Sequence, residues 1–522
     1  MFDFEIAFYL YKMAKIHSVF FDSKYKAQAY YSAAMAIDSY DTYVTRKYMQ
    51  HTLRDIPYVG EKIEKCIIDI IETGKLCELS KYEEEFQIKD YTLLLSTGIP
   101  DNLIKKLWNM QIHSAEDLLF SRCDEEYTGK LLNHEYTKLN KFKNAYIKYR
   151  GKYLYAYGDC LGQELMQFMK TIRGIQLVQL AGEMQNVVCE KISKIEIDFY
   201  YDGNWEYLVR KIRNQTRVTE VRGRKLEYIR GKTAFGIPFS LIYKGKHIKE
   251  TNPKRNESIV DITYIRGDLH THTNWTDGIH SIEQMCHEAT QKGYEYIAIT
   301  DHSISMRVAH GLSGDQAISQ IQEIRNLERK MNIKILAGIE VDILQDGELD
   351  YSDEILCQFD FVIAAIHSYM SQSAFEMEKR LQKALSNPYV NILAHPTGRL
   401  LGRPGVLFSE RQPYELDVSK IVGLCKEYEV ILEVNCFPER LDLNADGAWL
   451  AVQNGLKVSL GTDSHSVAHL RNMQYGVKLL EDAGIHKSMV INTYSYEELM
   501  NYFKEQRTRK KGEATSIIAR CK

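Results

Sequence analysis

The chain has 522 residues, of which 44% are hydrophobic, and a formal net charge of −3. That length suggests two to four domains with ordinary cores, and the charge excludes binding of nucleic acid through overall basicity. No apolar run is long enough to span a membrane, the ten cysteines form no CxxC pair, and the N-terminus is acidic, so we expect a cytoplasmic protein with reduced thiols and no membrane partner.

Residues 1–80 are predicted to be helical. Apolar side chains recur there at helical spacing, first at Phe8, Tyr9, Met13, Ile16 and Phe20, and then at Ala27, Tyr30, Tyr31 and Met35. We interpret these tyrosine-rich stripes as core. The alternative, that one of these rings stacks on a nucleobase, stays open at this point.

The segment from Ile56 to Gly60 is similar to the hairpin of a helix-hairpin-helix motif. Such a hairpin places backbone N–H groups and a helix N-terminus against a DNA phosphate, so Gly60 and Lys62 are candidate DNA-binding residues. Tyr58 stands where the motif usually has its first glycine, which would hinder the approach of a phosphate. A plain helical turn is the alternative. A second, weaker copy around Gly98 is predicted to be only structural.

Basic residues alternate with apolar ones between Arg210 and Lys232. This pattern suits a sheet surface that attracts the DNA backbone, and it suits solvent-facing strand edges protected by charge equally well.

In the second half of the chain, apolar runs typical of buried strands end repeatedly in potential metal ligands. The first ends at Asp268 and Leu269 and is followed by His270 and His272, which share one face of an extended chain. Helical segments separate the runs, which predicts parallel strands with crossover helices and side chains that meet at the carboxyl ends. The other residues that follow such runs are Asp301-His302, Glu340, His367, His395 and Asp463-Ser464-His465.

The motifs at these strand ends resemble those of the polymerase-and-histidinol-phosphatase (PHP) domain. They read Gly-Asp-Leu-His-Thr-His, Ile-Thr-Asp-His-Ser, Gly-Ile-Glu-Val-Asp, Ala-Ile-His-Ser, Ala-His-Pro-Thr-Gly-Arg and Gly-Thr-Asp-Ser-His. The resemblance implies a distorted barrel of seven β/α units that holds three divalent metals. The implied ligand sets are His270, His272, Glu340 and Asp463 for one ion, Glu340, His367 and His395 for a second, and Asp277, His302 and His465 for a third.

The same resemblance suggests roles within this site. Glu340 would bridge two ions, and we expect it to be catalytic together with Asp463, His270 and His272. Arg399, Arg403 and Asn435 are candidate phosphate-binding or substrate-binding residues, because guanidinium groups pair well with phosphate. Imidazole and carboxylate ligands suit manganese, zinc or iron, and the sequence does not choose among them.

The order of helical module, hairpins, middle region and PHP motifs resembles bacterial family X DNA polymerases with a C-terminal PHP domain. The polymerase site of such a protein needs a Gly-Ser loop and three aspartates for two magnesium ions. Here Glu183 lies where the triphosphate loop is expected, Glu196 and Asp198 match the acidic strand, and Ser240 stands at the third aspartate. The thumb domain is also missing, so we expect polymerase activity to be lost.

The predicted fold is therefore multidomain. It comprises an α-helical helix-hairpin-helix domain (1–80), a helical fingers-like domain (81–155), a small α+β degenerate polymerase palm (156–260) and a C-terminal α/β distorted (β/α)7 PHP barrel (261–522).

We expect a metal-dependent phosphoesterase that acts on DNA independently of sequence. The favoured activity is 3′-5′ exonuclease or 3′-end processing in DNA repair, with single-stranded DNA or 3′ ends as partner. A small-molecule phosphatase of the histidinol-phosphatase type is the first alternative. A non-catalytic DNA-binding scaffold is the second, although a scaffold has no need for nine metal-type residues at strand ends.

Overall fold

A computed structural model describes residues 3–40, 43–88, 91–96, 99–120, 131–149, 151–185, 191–213, 218–224, 228–233, 237–244, 258–402 and 411–520. The chain divides into two compact units, one within residues 1–252 and one formed by residues 253–401 and 411–522. The finer boundaries near residues 80 and 155 stay a prediction. Within the described residues, no helix is both long and apolar enough to cross a membrane.

The first unit begins with helices that bury one apolar face each. Their bounds are α1 (Asp3–Val19), α2 (Lys24–Tyr40), α3 (Tyr43–Met49), α4 (Glu61–Thr73), α5 (Cys77–Glu85), α6 (Asp101–Asn109), α7 (Ala115–Phe120) and α8 (Asn133–Tyr149). Met13, Ile16 and Tyr30 lie in the shared core, as the helical spacing predicts. Tyr31 was also expected in the core, and that is wrong: its side chain is 47% exposed and only packs edge-on against Tyr11.

The predicted hairpin lies between a short 3-10 turn and α4. Tyr58 adopts a φ of 64°, the left-handed backbone conformation that favours glycine, and its side chain is 70% exposed. Gly60 follows as the N-cap of α4, and because it is glycine it has no side chain that could bond to the first N–H groups of that helix. Tyrosine thus adopts, at the glycine position of the motif, a backbone conformation that favours glycine.

The middle of the chain forms a mixed sheet with two helices. The elements are β1 (Tyr153–Leu154), α9 (Tyr155–Lys170), β2 (Ile175–Ala181), β3 (Lys191–Ile192), β4 (Ile195–Tyr201), α10 (Trp205–Arg213), β5 (Val218–Arg224), β6 (Tyr228–Thr233) and β7 (Pro238–Tyr243). The main sheet has the order β2-β4-β7-β6-β5, with β4 and β7 parallel and the other neighbours antiparallel. Alternate residues of β4 are buried, which leaves Glu196 and Asp198 together on its other face.

The second unit alternates short buried strands with helices. The elements are β8 (Gly267–Asp268), α11 (Ile282–Gln291), β9 (Tyr296–Ile299), α12 (Gly314–Glu328), β10 (Lys334–Ala337), β11 (Glu340–Asp342), α13 (Asp353–Leu356), β12 (Val362–Ala365), α14 (Ala374–Leu385), β13 (Val390–Leu393), α15 (Val418–Glu427), β14 (Ile431–Asn435), α16 (Ala445–Gln453), β15 (Val458–Gly461), α17 (Met473–Asp482) and α18 (Tyr496–Arg520).

These strands form a closed but irregular ring. All the pairings within the sheets β8-β9-β10 and β11 to β15 are parallel. Single parallel bridges join the two sheets, one between His302 and Glu340 and one between Thr271 and Ser464. Since β10 and β11 are two parts of one chain segment, the ring has seven strand positions, and the expected distorted (β/α)7 barrel is confirmed.

The helix α18 packs against the ends of strands opposite the ligands. Phe503 stacks on Phe361, which immediately precedes β12, with ring centroids 5.0 Å apart, and Gln506 bonds to Asn391 near the start of β13. This helix therefore covers the amino-terminal side of these strands. Their carboxyl ends carry the polar side chains described next.

Candidate metal centre

Glu340 lies at the centre of the polar cluster at the carboxyl ends of the strands. Its Oε1 is 3.0 Å from Nε2 of His395 and 3.3 Å from Nε2 of His367. Its Oε2 is 2.9 Å from Nδ1 of His302 and 3.5 Å from Nε2 of His270. Nε2 of His272 is 3.7 Å from the same Oε2, so five imidazoles from four strand ends face the two oxygens of one buried carboxylate.

Asp463 is the second carboxylate of the cluster. Its Oδ1 is 3.1 Å from Nε2 of His272 and 3.7 Å from Nε2 of His270. Asp463 and His395 adopt φ values of 53° and 28° in the left-handed region, which L residues rarely occupy. Backbone strain of this kind is commonly found at functional sites, where the surrounding packing holds it in place.

Asp277 lies at a more exposed edge of the same cluster. Its Oδ2 is 3.4 Å from Nε2 of His465 and 3.6 Å from Nε2 of His302. His272 stacks between these two imidazoles, with ring centroids 4.4 Å from each. His302 therefore faces both Asp277 and Glu340.

All nine predicted ligands come together in this cluster. Among the described residues, three groups have ligand atoms within 4.8 Å of one another: His272, Asp277, His302 and His465; His270, His272 and Asp463; and His302, Glu340 and His367. These groups differ slightly from the sets carried over from the family, because His272 and His302 each lie between two groups. The assignment of individual ligands to individual ions stays a prediction.

The cluster fits divalent metal ions on its own chemistry. The buried atoms His270 Nε2, His272 Nδ1, Glu340 Oε2 and His395 Nδ1 make no hydrogen bond within the part of the chain that the structure describes. Buried polar atoms rarely lack partners, because the desolvation cost is not repaid. Lone pairs of imidazole and carboxylate gathered in this way are suited to metal coordination.

Two carboxylates that the motif analysis did not assign orient the histidines. Nδ1 of His270 donates to Oε1 of Glu433 at 2.6 Å, and Nδ1 of His367 donates to Oδ1 of Asp342 at 2.9 Å. Each bond leaves the Nε2 lone pair facing the cluster, as in carboxylate–histidine–metal arrangements. In the sequence, each of these carboxylates stands directly between two apolar residues, and that position could have identified both as candidate functional residues. Gly461 makes room for the first pair, since a Cβ there would lie 2.3 Å from Glu433 Oε1.

The predicted substrate-binding residues have different surroundings. The Asn435 amide donates to Asp463 at 3.1 Å and to Glu433 at 3.3 Å in a fully buried position, which indicates that it braces these carboxylates. The Arg399 guanidinium is 9% exposed and donates to the carbonyl of Leu441. Arg403 lies outside the described residues. A phosphate contact by these two arginines stays a prediction.

Charge and burial compete throughout the cluster. Burial alone would raise the pKa of Glu340, but the facing imidazoles of His367, His270 and His302 hold it well below its usual range. Burial lowers the pKa of His395 to about 3, with a further contribution from the positive charge of Arg440. Burial opposes protonation of His465, yet Asp277 raises its pKa to about 8. Glu340 is therefore ionised and His395 neutral near pH 7, whereas His465 has to lose a proton before it can bind a metal ion.

The predicted DNA-binding and polymerase residues lie in the first unit. Lys62 pairs with Glu78 at 3.2 Å, so its ammonium is close to a carboxylate as well as to the hairpin. Glu183 accepts bonds from the backbone and hydroxyl of Ser193. Glu196 pairs with Lys194 at 2.8 Å, and Ser240 lies beside Glu196 in register across β4 and β7.

Two regions of the chain match known protein families. Residues 268–436 match the PHP domain, and residues 4–76 match a helix-hairpin-helix domain. The "DNA polymerase/3'-5' exonuclease PolX" of Bacillus subtilis (strain 168) is 39% identical over 247 residues, which are 47% of this chain and 42% of PolX. The chain therefore spans less than half the length of that relative.

Smaller relatives are matched over nearly their whole length. A probable phosphatase of Acetivibrio thermocellus is 30% identical over 251 residues, covering 46% of this chain and 96% of the relative. Among solved structures, histidinol phosphate phosphatase of Lactococcus lactis, in complex with zinc, L-histidinol and phosphate, is 19% identical in sequence. The superposition has a TM-score of 0.30 and covers 42% of this chain and 94% of that chain. The chain belongs to the PHP family of metal-dependent phosphoesterases, in the architecture of a family X polymerase that has a helix-hairpin-helix domain before its PHP domain.

Proposed function

We propose that this protein hydrolyses phosphodiester bonds at the 3′ end of DNA, as a 3′-5′ exonuclease or 3′-end-processing enzyme in repair. The observation that carries the proposal is the convergence of nine histidine and carboxylate side chains at the carboxyl ends of the strands. Glu340, which faces five imidazoles, is the central member of this set.

The residues of the site have different roles in this proposal. Divalent manganese, zinc or iron held by the nine ligands would supply Lewis acidity at the phosphate and lower the pKa of an attacking water. Glu340 and Asp463 supply the negative charge that retains the cations. Glu433 and Asp342 hold His270 and His367 in the tautomer whose Nε2 is free to coordinate. The proposal includes three bound ions. It also includes catalytic roles for Glu340, Asp463, His270 and His272.

Two features of the first unit support DNA as the substrate. The uncapped N-terminus of α4 at Gly60 offers backbone N–H groups to a phosphate, and residues 4–76 match a helix-hairpin-helix domain. The exposed Tyr58 ring lies two residues before Gly60 and is available for stacking on a base or sugar. The PolX relative is named as a 3′-5′ exonuclease, which is consistent with this substrate.

A phosphatase acting on small phosphate esters is the second candidate. The chain covers 96% and 97% of two relatives that are called probable phosphatases, at 30% and 29% identity. Such an activity would use the same cluster and would not need the hairpin.

Activity of the full-length protein on two kinds of substrate distinguishes these candidates. Purified protein is analysed for metal, and its rates are then measured on 5′-labelled single-stranded DNA and on p-nitrophenyl phosphate. A ladder of products shortened from the 3′ end, lost in His395→Asn and retained in His486→Asn, supports the proposal. His486 is a matched control because it is exposed and bonds only locally, to Ser488. Hydrolysis of the small ester without any shortening of DNA would favour the phosphatase.

A further inference from the structure

Arg440 lies at the metal centre although no motif drew attention to it. It follows β14 in a turn closed by a bond from its backbone N–H to the carbonyl of Phe437 at 2.8 Å. Its Nε is 3.5 Å from Oδ2 of Asp463, one of the nine ligands. The side chain is 20% exposed, so it lies at the boundary between the cluster and solvent.

The guanidinium of Arg440 has a donor that its neighbours do not use. Its Nη1 is buried and has no hydrogen-bond partner among the residues that the structure describes. An arginine carries five N–H donors, and leaving a charged donor unpaired in a buried position is costly. The contact with Asp463 involves Nε, so it does not account for Nη1.

Two further arginines lie near Arg440, and each donates to a backbone carbonyl. Arg411 donates through Nε to the carbonyl of Gly398 at 2.6 Å, and Arg399 donates to the carbonyl of Leu441. The nearby carboxylate of Asp442 already accepts bonds from the backbone and hydroxyl of Thr397.

The buried Nη1 of a charged guanidinium is suited to an anionic acceptor at the metal centre. We propose that Nη1 of Arg440 binds a non-bridging oxygen of the phosphate ester at the metal centre, which makes Arg440 a substrate-binding residue of this site. The inference rests on the proposed function only in that the ligand is a phosphate ester. It adds Arg440 to Arg399 and Arg403, whose contact with phosphate stays a prediction.

A purely structural role for Arg440 would be to hold Asp463. In that case its removal would disturb metal binding and leave the phosphate affinity of the metal-loaded protein unchanged. Substitution by lysine separates the roles, since an ammonium keeps the positive charge near Asp463 but has no second planar nitrogen to donate from the Nη1 position.

The test is a calorimetric titration of the metal-loaded, full-length protein with inorganic phosphate, together with its metal content. The wild type is compared with Arg440→Gln, Arg440→Lys and the control Arg325→Gln. Arg325 is a partly buried arginine on α12 that pairs with Asp360 at 2.5 Å, just before β12, and is therefore at the opposite end of that strand from the ligands. We expect Arg440→Gln to keep its metals and bind phosphate about 10- to 100-fold more weakly. Arg440→Lys should also bind phosphate more weakly, whereas Arg325→Gln should bind it like the wild type.

Wild-type phosphate affinity in metal-loaded Arg440→Gln would overturn the inference. If Arg440→Gln loses metal, the result for Arg440→Lys decides between the two roles. Weaker phosphate binding by Arg440→Lys with full metal content supports the inference. Wild-type phosphate affinity or loss of metal in Arg440→Lys overturns it. A failure of the proposed function would give a different result from a failure of this inference. Wild-type protein that binds phosphate through Arg440 but does not shorten DNA would refute the exonuclease and leave this assignment standing.

Discussion

Nδ1 of His270 donates to Oε1 of Glu433 across 2.6 Å, and both side chains are buried. Glu433 also accepts the backbone N–H of His395 at 2.7 Å, so one carboxylate holds two ligands that lie on different strands. An outer carboxylate of this kind fixes the tautomer of the imidazole and raises its basicity. The metal affinity of the centre should therefore depend on a residue that contacts no metal.

Glu433→Gln is expected to weaken metal binding by about 10- to 100-fold, because the amide cannot accept from His270 with the strength of a carboxylate. The measurement is a titration with a competing chelator of known affinity. Glu295→Gln is the matched control, since Glu295 lies before β9 and pairs with Arg266 instead of a ligand. Equal metal affinity in wild type and Glu433→Gln would contradict the role given to this carboxylate.

Glu340→Gln is expected to remove phosphoesterase activity more completely than replacement of any other ligand. Its two oxygens face His395, His367, His302 and His270, so losing the charge affects more than one metal position. Metal content by atomic emission should fall by more than one ion per chain, from about three in the wild type as the family ligand set implies. Near-normal metal content and turnover in this variant would show that the ligand assignment is wrong.

Template-directed nucleotide incorporation is expected to be absent or very weak. Ser240 supplies no carboxylate beside Glu196, and Glu196 itself pairs with Lys194. Burial raises the pKa of Asp198, which makes it a poorer ligand for a magnesium ion. Extension of a gapped primer is measured for wild type and Asp198→Ala. Ordinary extension rates that do not change in Asp198→Ala would show that the middle domain has been misaligned with the polymerase site.

Gly60→Asp is expected to weaken DNA binding without destabilising the fold. A Cβ at Gly60 would meet no atom within 4 Å, its φ of −89° suits any residue, and aspartate is a better N-cap than glycine. The added carboxylate would cover the N–H groups of α4 and repel a phosphate. DNA affinity should fall, most strongly at low salt, while the melting temperature is unchanged or raised.

Gly60→Ser is the control for that substitution, because it caps the helix without adding charge. It should retain more DNA affinity than Gly60→Asp at every salt concentration. If Gly60→Asp and wild type have the same affinity and the same salt dependence, the hairpin does not contact DNA, and the small-ester phosphatase becomes the better account of the chain.

The sequence by itself predicted the strand-end ligands, and its resemblance to the PHP domain implied a barrel of seven β/α units. His270 and His272, Glu340 and Asp463 each follow a short apolar run, and local periodicity is enough to predict that such runs are parallel strands whose carboxyl ends meet. The hairpin was predicted from its similarity to a helix-hairpin-helix motif, which is a local feature because Ile56 to Gly60 is a turn between two helical segments. Tyr31 was placed wrongly because helical spacing does not specify how wide the buried face of a helix is.

Only the tertiary structure decided which polar groups support these ligands. Glu433 meets His270 from 163 residues away, and the pairing of Arg440 with Asp463 depends on how the turn after β14 approaches the end of β15. Asn435 contacts two carboxylates, and Arg399 bonds to a backbone carbonyl, although both were candidates for substrate contact. Such pairings are set by packing between segments distant in the chain, and at the level of residue type an arginine that binds phosphate does not differ from one that braces a loop.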